Sequence, residues 1–508
     1  MDYKNLSYNE MLEWFSDYKF KTKPYKHQLA SISFAICEQK SKLMLLHGIG
    51  TGKTLTALYL TDIWNPKGRI LIISPNSVIP SWKEEIKKHT DFSYTVLKGS
   101  KNDRMKKLVT CKTDIFIINY EGLKTISCDN EKGKNIINPA YPRNYGFEVV
   151  IADECHRFKN AKSLQTKIAY YFTERARRVI LMTGTPIAHS AKDIFGQFYV
   201  MDNGAVFGNN EYYFLKHFYN KSKWGYDYIP KGICQICGEM YSGKKEHLKK
   251  HNTDIINYRK KFPKEITSEN TIMEIVGKHS IRYKREECLD LPNKIFEIKY
   301  VDITAKQFSM MDKIISGLNI EELKGKNIEY HLQKILQITS GFLLSDKKNT
   351  YEFEINPKLN ELKTLIDTVE GKVIIYHQFI HEYILISEML KKQKINFSAL
   401  NGKTKDKESE INKFKSASCS VLLAHPKSGG EGLNLQCAQT IIFFSNGFIG
   451  NILREQAEGR IHRAGQTKSC LYIDIVAKDT IDEILFDSLK NKKQYTKTLL
   501  TFLKNKKS

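Results

Sequence analysis

The stretch Leu43-Met-Leu-Leu-His-Gly-Ile-Gly-Thr-Gly-Lys-Thr54 constrains this chain more than any other, because an apolar run breaks into three glycines and ends in Gly52-Lys53-Thr54. It predicts a strand, a tight turn and a helix start. Glycines at 48, 50 and 52 let successive backbone N–H groups converge on one anion, and a helix beginning at Lys53 adds its positive dipole end. This is the pattern of a phosphate loop: Gly48, Gly50, Thr51 and Gly52 wrap the anion, Lys53 reaches the β/γ-phosphates and Thr54 takes magnesium. His47 stands where the strict spacing has glycine, six residues before the lysine.

The 508 residues suggest roughly three domains. No apolar run is long enough to cross a bilayer and the first residues carry no signal-peptide pattern, so the expectation is a soluble, intracellular protein. Ten scattered cysteines read as reduced thiols, apart from one cluster. Eighty Lys plus Arg against 56 Asp plus Glu leave a net charge of +24, which favours a polyanionic partner, nucleic acid first.

In chain order, Lys23-Pro-Tyr-Lys-His-Gln28 precedes the loop, and Gln28 is placed to read an adenine edge. Ile70 to Pro75, Asp114 to Asn119, Phe147 to Ala152 and Val179 to Met182 are strand-length apolar runs separated by helix-compatible segments. That alternation predicts a parallel sheet with crossover helices. Asp153-Glu154-Cys155-His156 falls at a strand's carboxyl end, where open α/β sheets bind ligands. Asp153 there holds magnesium, and Glu154 polarises the attacking water.

Phosphate loop, Asp-Glu-x-His and Thr183-Gly-Thr-Pro186, in that order, resemble the first lobe of superfamily two helicases and translocases. The likeness sharpens in Ser74 to Glu85 around Trp82, in Arg157-Phe-Lys159-Asn160 and in Thr183 to Ser190. It continues in Ile281 to Arg285, Leu289 to Lys294 and Gln337 to Phe342. Together these blocks resemble the SWI/SNF-like DNA-dependent ATPases, which usually carry Ala or Gly where this chain has Cys155.

A second run of strands is expected at Lys372 to Tyr376, Phe397 to Gly402, Ser420 to Ala424, Thr440 to Phe444 and Leu471 to Val476. Ser428 to Asn434 and Gln456 to Gln466 resemble the late motifs of the same family, which implies a nucleotide contact for Gln456. Arg460 and Arg463, three apart and expected on one helix face, are the arginine-finger candidates. Where the family has Trp-Asn-Pro, this chain reads Gly447-Phe-Ile-Gly-Asn451.

Outside the resemblance, Cys234-Gln-Ile-Cys237 is followed after nine intervening residues by His247, and after three more by His251. Two thiolates at knuckle spacing and two histidines at i and i+4 suit tetrahedral zinc. Lys244, Lys245, Lys249 and Lys250 flank the histidines, so a phosphate contact and a purely structural staple both stand open. The last segment has apolar residues at helical spacing between lysines, as a brace on the core would.

The expected fold is α/β: two RecA-like parallel-sheet lobes flanking an ATP cleft, with a helical, zinc-knuckle-containing insertion. The expected division is 1–200 for the ATP-binding lobe, 201–275 for the insertion, 276–355 for a helical connecting region, 356–485 for the second lobe and 486–508 for a basic tail. The resemblance implies an ATP- and magnesium-dependent motor that tracks duplex DNA. A viral-type nucleic-acid-dependent ATPase acting in transcription and a non-enzymatic zinc-knuckle adaptor are the alternatives.

Overall fold

Seven parallel strands organise the first part of the chain: β1 (Lys42–His47), β2 (Arg69–Ser74), β3 (Tyr94–Val96), β4 (Ile115–Asn119), β5 (Phe147–Asp153), β6 (Arg178–Met182) and β7 (Ser280–Tyr283). Their order in the sheet is β7-β1-β6-β5-β2-β4-β3. The apolar runs are continuous because both faces are covered. Met44, Leu46, Leu71, Ile73, Phe116 and Ile118 enter one core, while Leu43, Leu45, Ile70, Ile72, Ile115 and Ile117 enter the other. Each such side chain contributes about 1.5–3 kcal/mol on full burial.

The computed structural model describes residues 2–490 except 132, 185–190, 222–227, 252, 254, 256–257, 259–260, 262–264, 289–290, 318–325, 346–348, 430–432, 448–449 and 464. Its contacts divide the chain into two units, Met1–Leu289 and Asp290–Ser508. Among the described residues no helix is long and apolar enough to cross a membrane.

The second unit repeats the construction. Its strands are β8 (Lys294–Val301), β9 (Val373–Tyr376), β10 (Phe397–Leu400), β11 (Val421–Ala424), β12 (Thr440–Phe443) and β13 (Cys470–Ala477). They are parallel, in the order β8-β13-β12-β9-β11-β10. Ile374, Tyr376, Leu422, Ala424, Ile441 and Phe443 line one core, and Val373, Ile375, Val421, Leu423, Ile442 and Ile473 the other.

Residues 276–355 are not wholly helical. They supply an edge strand to each sheet, β7 beside β1 and β8 beside β13, before the helices Ala305–Ser316 and Lys326–Thr339. β8 escapes a search for apolar runs because, as an edge strand, it leaves Ile295, Phe296 and Tyr300 exposed and alternates them with charges. The insertion is likewise mixed. Helices Glu211–Phe218 and Ser268–Lys278 flank a three-stranded sheet of Met240–Tyr241, Gly232–Ile233 and Ile266–Thr267.

The helix Ile481–Lys490 buries Ile481 and Leu485 against Leu332, Ile335 and Leu336. Its Asp482 pairs with the buried Lys358 and accepts from Thr339 Oγ1 at 3.0 Å. Of the last segment, for which a brace is expected, 491–508 lie outside the described residues.

Candidate functional site

The carboxyl end of β1 turns into the glycine loop. Gly50 and Gly52 both have φ of 81°, in the left-handed region that an L side chain rarely adopts. At Gly52 a Cβ would also lie 2.3 Å from Gln28 Nε2, so the loop closes over that amide only because it is glycine. The helix Lys53–Trp64 starts at once, with Thr54 in its first turn. Lys53 Nζ donates to the carbonyls of His47 and Gly48 at 3.0 and 3.2 Å.

Gln28 is buried, and its amide faces the loop. Oε1 accepts the Tyr25 N–H at 2.8 Å, while Nε2 donates to the Thr51 and Gly52 carbonyls at 3.4 and 3.3 Å. Beside it, a His27 ring nitrogen lies 2.7 Å from Thr51 O. The ring of Tyr283, at the end of β7, meets both His27 and His47 edge to face. The Gly48 N–H donates to Tyr283 O at 2.9 Å, and a Cβ on Gly48 would lie 3.0 Å from Arg285 N. The block Ile281 to Arg285 therefore walls one side of the phosphate loop. His47 fills its off-pattern position as a fully buried ring 3.0 Å from Ser31 Oγ, and burial together with Lys53 keeps it far below the ordinary histidine pKa.

Asp153 ends β5 and Glu154 follows it; only β6, which Thr183 follows, separates β5 from β1. Asp153 Oδ2 accepts from Trp82 Nε1 at 3.2 Å, and Oδ1 accepts the Glu154 N–H at 3.0 Å. Burial and the adjacent Glu154 push the Asp153 carboxyl up to about 7, against the opposing pull of Lys53. Two crowded carboxylates facing an ammonium fit a divalent cation, which would stabilise both as anions.

Glu154 sits at φ 56°, ψ 49°, a left-handed conformation that costs a non-glycine residue about 1–3 kcal/mol. His156 Nδ1 lies 3.3 Å from Glu154 Oε2 and 3.2 Å from Thr183 Oγ1, so the imidazole joins the acid pair to the end of β6. Cys155 is buried, its Sγ 3.3 Å from Gln197 Oε1, as a small core residue. Thr185 to Ser190 lie outside the described residues.

In the second unit the helix Gly450–Glu458 stops short of both candidate arginines. Arg460 and Arg463 do not share a helix face: Gly459, a poor helix former, begins a turn instead. They converge all the same, because Arg460 Nη1 and Arg463 Nη1 both donate to Leu433 O, at 3.4 and 3.3 Å. Gln456 is buried on the helix, and its Oε1 has no hydrogen-bond partner among the described residues. Residues 430–432, 448–449 and 464 of the late motifs lie outside the described set.

Within the insertion, one ligand atom each from Cys234, Cys237, His247 and His251 lies within 4.8 Å of the others. Cys237 Sγ is 3.4 Å from His247 Nε2, and the buried His251 Nε2 has no hydrogen-bond partner among the described residues. Burial opposes ionisation of Cys234, but hydrogen bonds from the Cys237 and Ile236 N–H groups and from the Cys237 and Tyr258 side chains together hold the thiol below its ordinary pKa. Gly232–Ile233 and Met240–Tyr241 present the thiols and helix Lys244–Lys249 presents His247, over a small core of Tyr241, Leu248 and Tyr258.

The residues that sequence reasoning left without a role are His27, Trp82, His156 and Tyr283. Each sat inside a quoted or adjacent block, but only the sheet order shows what it touches.

A parallel sheet with a glycine loop on β1 and an acid pair two strands away, at the same edge, defines a nucleotide-phosphate-binding α/β protein. The family model of the SNF2-related domain matches residues 10–416, and the chain belongs to that family. It is 27% identical over 476 residues to an uncharacterized ATP-dependent helicase of Mycoplasma genitalium, covering 90% of this chain and 40% of that protein. It is 24% identical to the Drosophila melanogaster SWI/SNF-related matrix-associated actin-dependent regulator of chromatin subfamily A-like protein 1, covering 94% of this chain and 56% of the relative. A protein p41 of Acyrthosiphon pisum secondary endosymbiont phage 1 is 24% identical over 99% of its own length. The chain thus spans about half the length of the first two relatives and nearly all of the third. Among solved structures it is similar to the Sulfolobus solfataricus SWI2/SNF2 ATPase core in complex with dsDNA, with a TM-score of 0.40 and 20% identity over 94% of this chain and 92% of that one.

Proposed function

We propose that this protein is a DNA-dependent ATPase that converts ATP hydrolysis into movement along duplex DNA or remodelling of complexes on it. The observation that carries the reading is the meeting of the glycine loop, Thr183 and the Asp153-Glu154 pair at the ends of three neighbouring strands. The backbone of Gly48 to Gly52 and the Lys53 ammonium bind the phosphates, and Gln28 holds the loop in shape. Thr54 and Asp153 are the residues that would hold magnesium, which when bound would supply charge neutralisation at the transferred phosphoryl group. Glu154 orients the attacking water, with the His156 imidazole lying between its carboxylate and the Thr183 hydroxyl.

The likeness of the late motifs to those of the family supports a role for Arg460 and Arg463 in the same hydrolysis, with Gln456 as a further nucleotide contact. The net charge of +24 suits a nucleic acid of either kind, and the helicase and chromatin-regulator names of the relatives favour DNA. Neither transcription-linked hydrolysis nor a non-enzymatic adaptor role has an observation of its own. The test is ATP turnover with duplex DNA, single-stranded DNA, RNA and no polymer. Duplex DNA is expected to stimulate most, and equal turnover in all four would overturn the assignment.

We further propose that Cys234, Cys237, His247 and His251 hold one zinc ion. The support is the gathering of four suitable ligand atoms with a depressed thiol among them. The cluster lies away from the residues assigned to hydrolysis in the chain, so its work is to hold the insertion together.

A further inference from the structure

The second unit holds a buried ionic cluster that none of the motif assignments uses. Its centre is Arg454 on helix Gly450–Glu458, 8% exposed. Nη1 and Nη2 donate to Asp474 Oδ1 and Oδ2 at 2.5 and 2.8 Å, Nη1 also to Asn446 Oδ1 at 2.8 Å, and Nε to Glu458 Oε1 at 2.9 Å. The guanidinium carbon lies 3.4 Å from the centroid of the Phe443 ring. Asp474 belongs to β13 and Phe443 to β12, while Asn446 follows β12 and donates to Asp474 Oδ1 at 2.8 Å. The helix's last residue is pinned as well: Glu458 Oε2 accepts from Lys294 of β8 at 3.0 Å, and Glu458 O accepts the Tyr472 hydroxyl at 3.0 Å.

An apolar contact of the same size would hold helix to sheet at least as well, since burying an ion pair costs desolvation that its attraction only roughly repays. What the fork adds is direction. A planar guanidinium bonded to a carboxylate on one strand and an amide after the next tolerates neither rotation nor sliding of the helix. Gln456 lies two residues beyond Arg454, and Arg460 two residues beyond Glu458.

We propose that Arg454 is a positioning residue of the ATPase: through Asp474, Asn446 and Glu458 it fixes the rotation and register of this helix. It thereby fixes where Gln456, Arg460 and Arg463 present their polar atoms. This rests on the assignment of Arg460 and Arg463 to the nucleotide, made above.

The test uses the full chain and two variants. Arg454→Lys keeps the charge and loses the fork; Arg454→Met combined with Asp474→Leu removes the pair without stranding a buried charge. Both are measured for DNA-stimulated kcat, KM for ATP, affinity for duplex DNA and melting temperature, beside Arg460→Ala. Misplacement by about an ångström predicts a kcat lower by about 10²-fold, with KM and DNA affinity within about twofold of wild type. A folded double variant with wild-type kcat, or one that loses melting temperature while its folded fraction turns over normally, overturns the proposal. Should the double variant fail to fold, Arg454→Lys decides alone, and wild-type kcat there overturns it. Wild-type turnover in Arg460→Ala sinks the underlying assignment, whereas collapse in Arg460→Ala with none in the Arg454 variants sinks only the positioning role.

Discussion

Trp82 Nε1 donates to Asp153 Oδ2 at 3.2 Å, between an indole with 0% exposure and a carboxylate with 6%. The other oxygen of Asp153 takes the Glu154 N–H, so the carboxylate is held from both sides, and Glu154 itself adopts a left-handed conformation. The two acids thus differ in backbone geometry, which fits the different roles proposed for them.

Glu154→Gln tests that division of roles. Glutamine bears the same left-handed strain, so the turn survives, and Lys53, Thr54 and Asp153 are untouched. Loss of the water-orienting carboxylate is expected to cut turnover by about 10²–10⁴-fold. ATP and magnesium affinity, followed by a fluorescent nucleotide, should stay within a few-fold of wild type. Comparable loss of binding would make Glu154 a structural residue.

Gln28 yields a different expectation, because its amide is spent on the loop. Gln28→Ala removes the donor to Thr51 O and Gly52 O and the acceptor for the Tyr25 N–H. At about 0.5–1.5 kcal/mol per hydrogen bond, KM for ATP is expected to rise about tenfold, and KM for GTP with it. Should only the preference between ATP and GTP change, Gln28 would be a reader of the base.

Much of this was legible in the sequence, for a physical reason. Strands buried on both faces must be apolar throughout, so Ile70 to Ser74 or Val421 to Ala424 announce themselves. β3 and β8 do not, since edge strands have one flank in solvent and need no such run. The loop and the acid pair are local patterns and could be read directly. The Arg454 cluster could not, since Asn446, Arg454, Asp474 and Lys294 meet only after the sheet is assembled. No helix continues beneath Arg460, because Gly459 favours the turn that ends it.

Arg460 and Arg463 share one acceptor, Leu433 O, and so are expected to act as a unit. Alanine at either should lower stimulated turnover by about 10³-fold or more, by comparison with arginines that serve phosphoryl transfer elsewhere. Groups that work together are not additive, so the double variant should lose little beyond either single one. DNA affinity, measured by anisotropy, should change little. Full activity in both single variants would remove the late motif from the mechanism.

The metal prediction concerns composition. Protein purified without chelators is expected to carry about one zinc per chain by elemental analysis, and Cys237→Ser to lose it. Protease sensitivity should rise in 230–270, while melting of the two sheets is kept, because the ligands lie outside both. Metal-free wild-type protein would dispose of the site.

The polymer can be tested through salt and topology together. Phosphate contacts release counterions, so stimulation by DNA should fall steeply with salt, with a log–log slope set by the number of phosphates contacted. Hydrolysis without polymer should fall far less, since Asp153, Thr51 and Gln28 are buried and screened only weakly. A motor that tracks the duplex needs no end, so covalently closed circles should stimulate as well as linear DNA of equal mass. A third strand paired to the duplex should be displaced in an ATP-dependent way, faster than the duplex strands themselves are parted. RNA that stimulates while closed duplex circles stay inert would move the protein to a different polymer and overturn the translocase reading, leaving the nucleotide site as assigned.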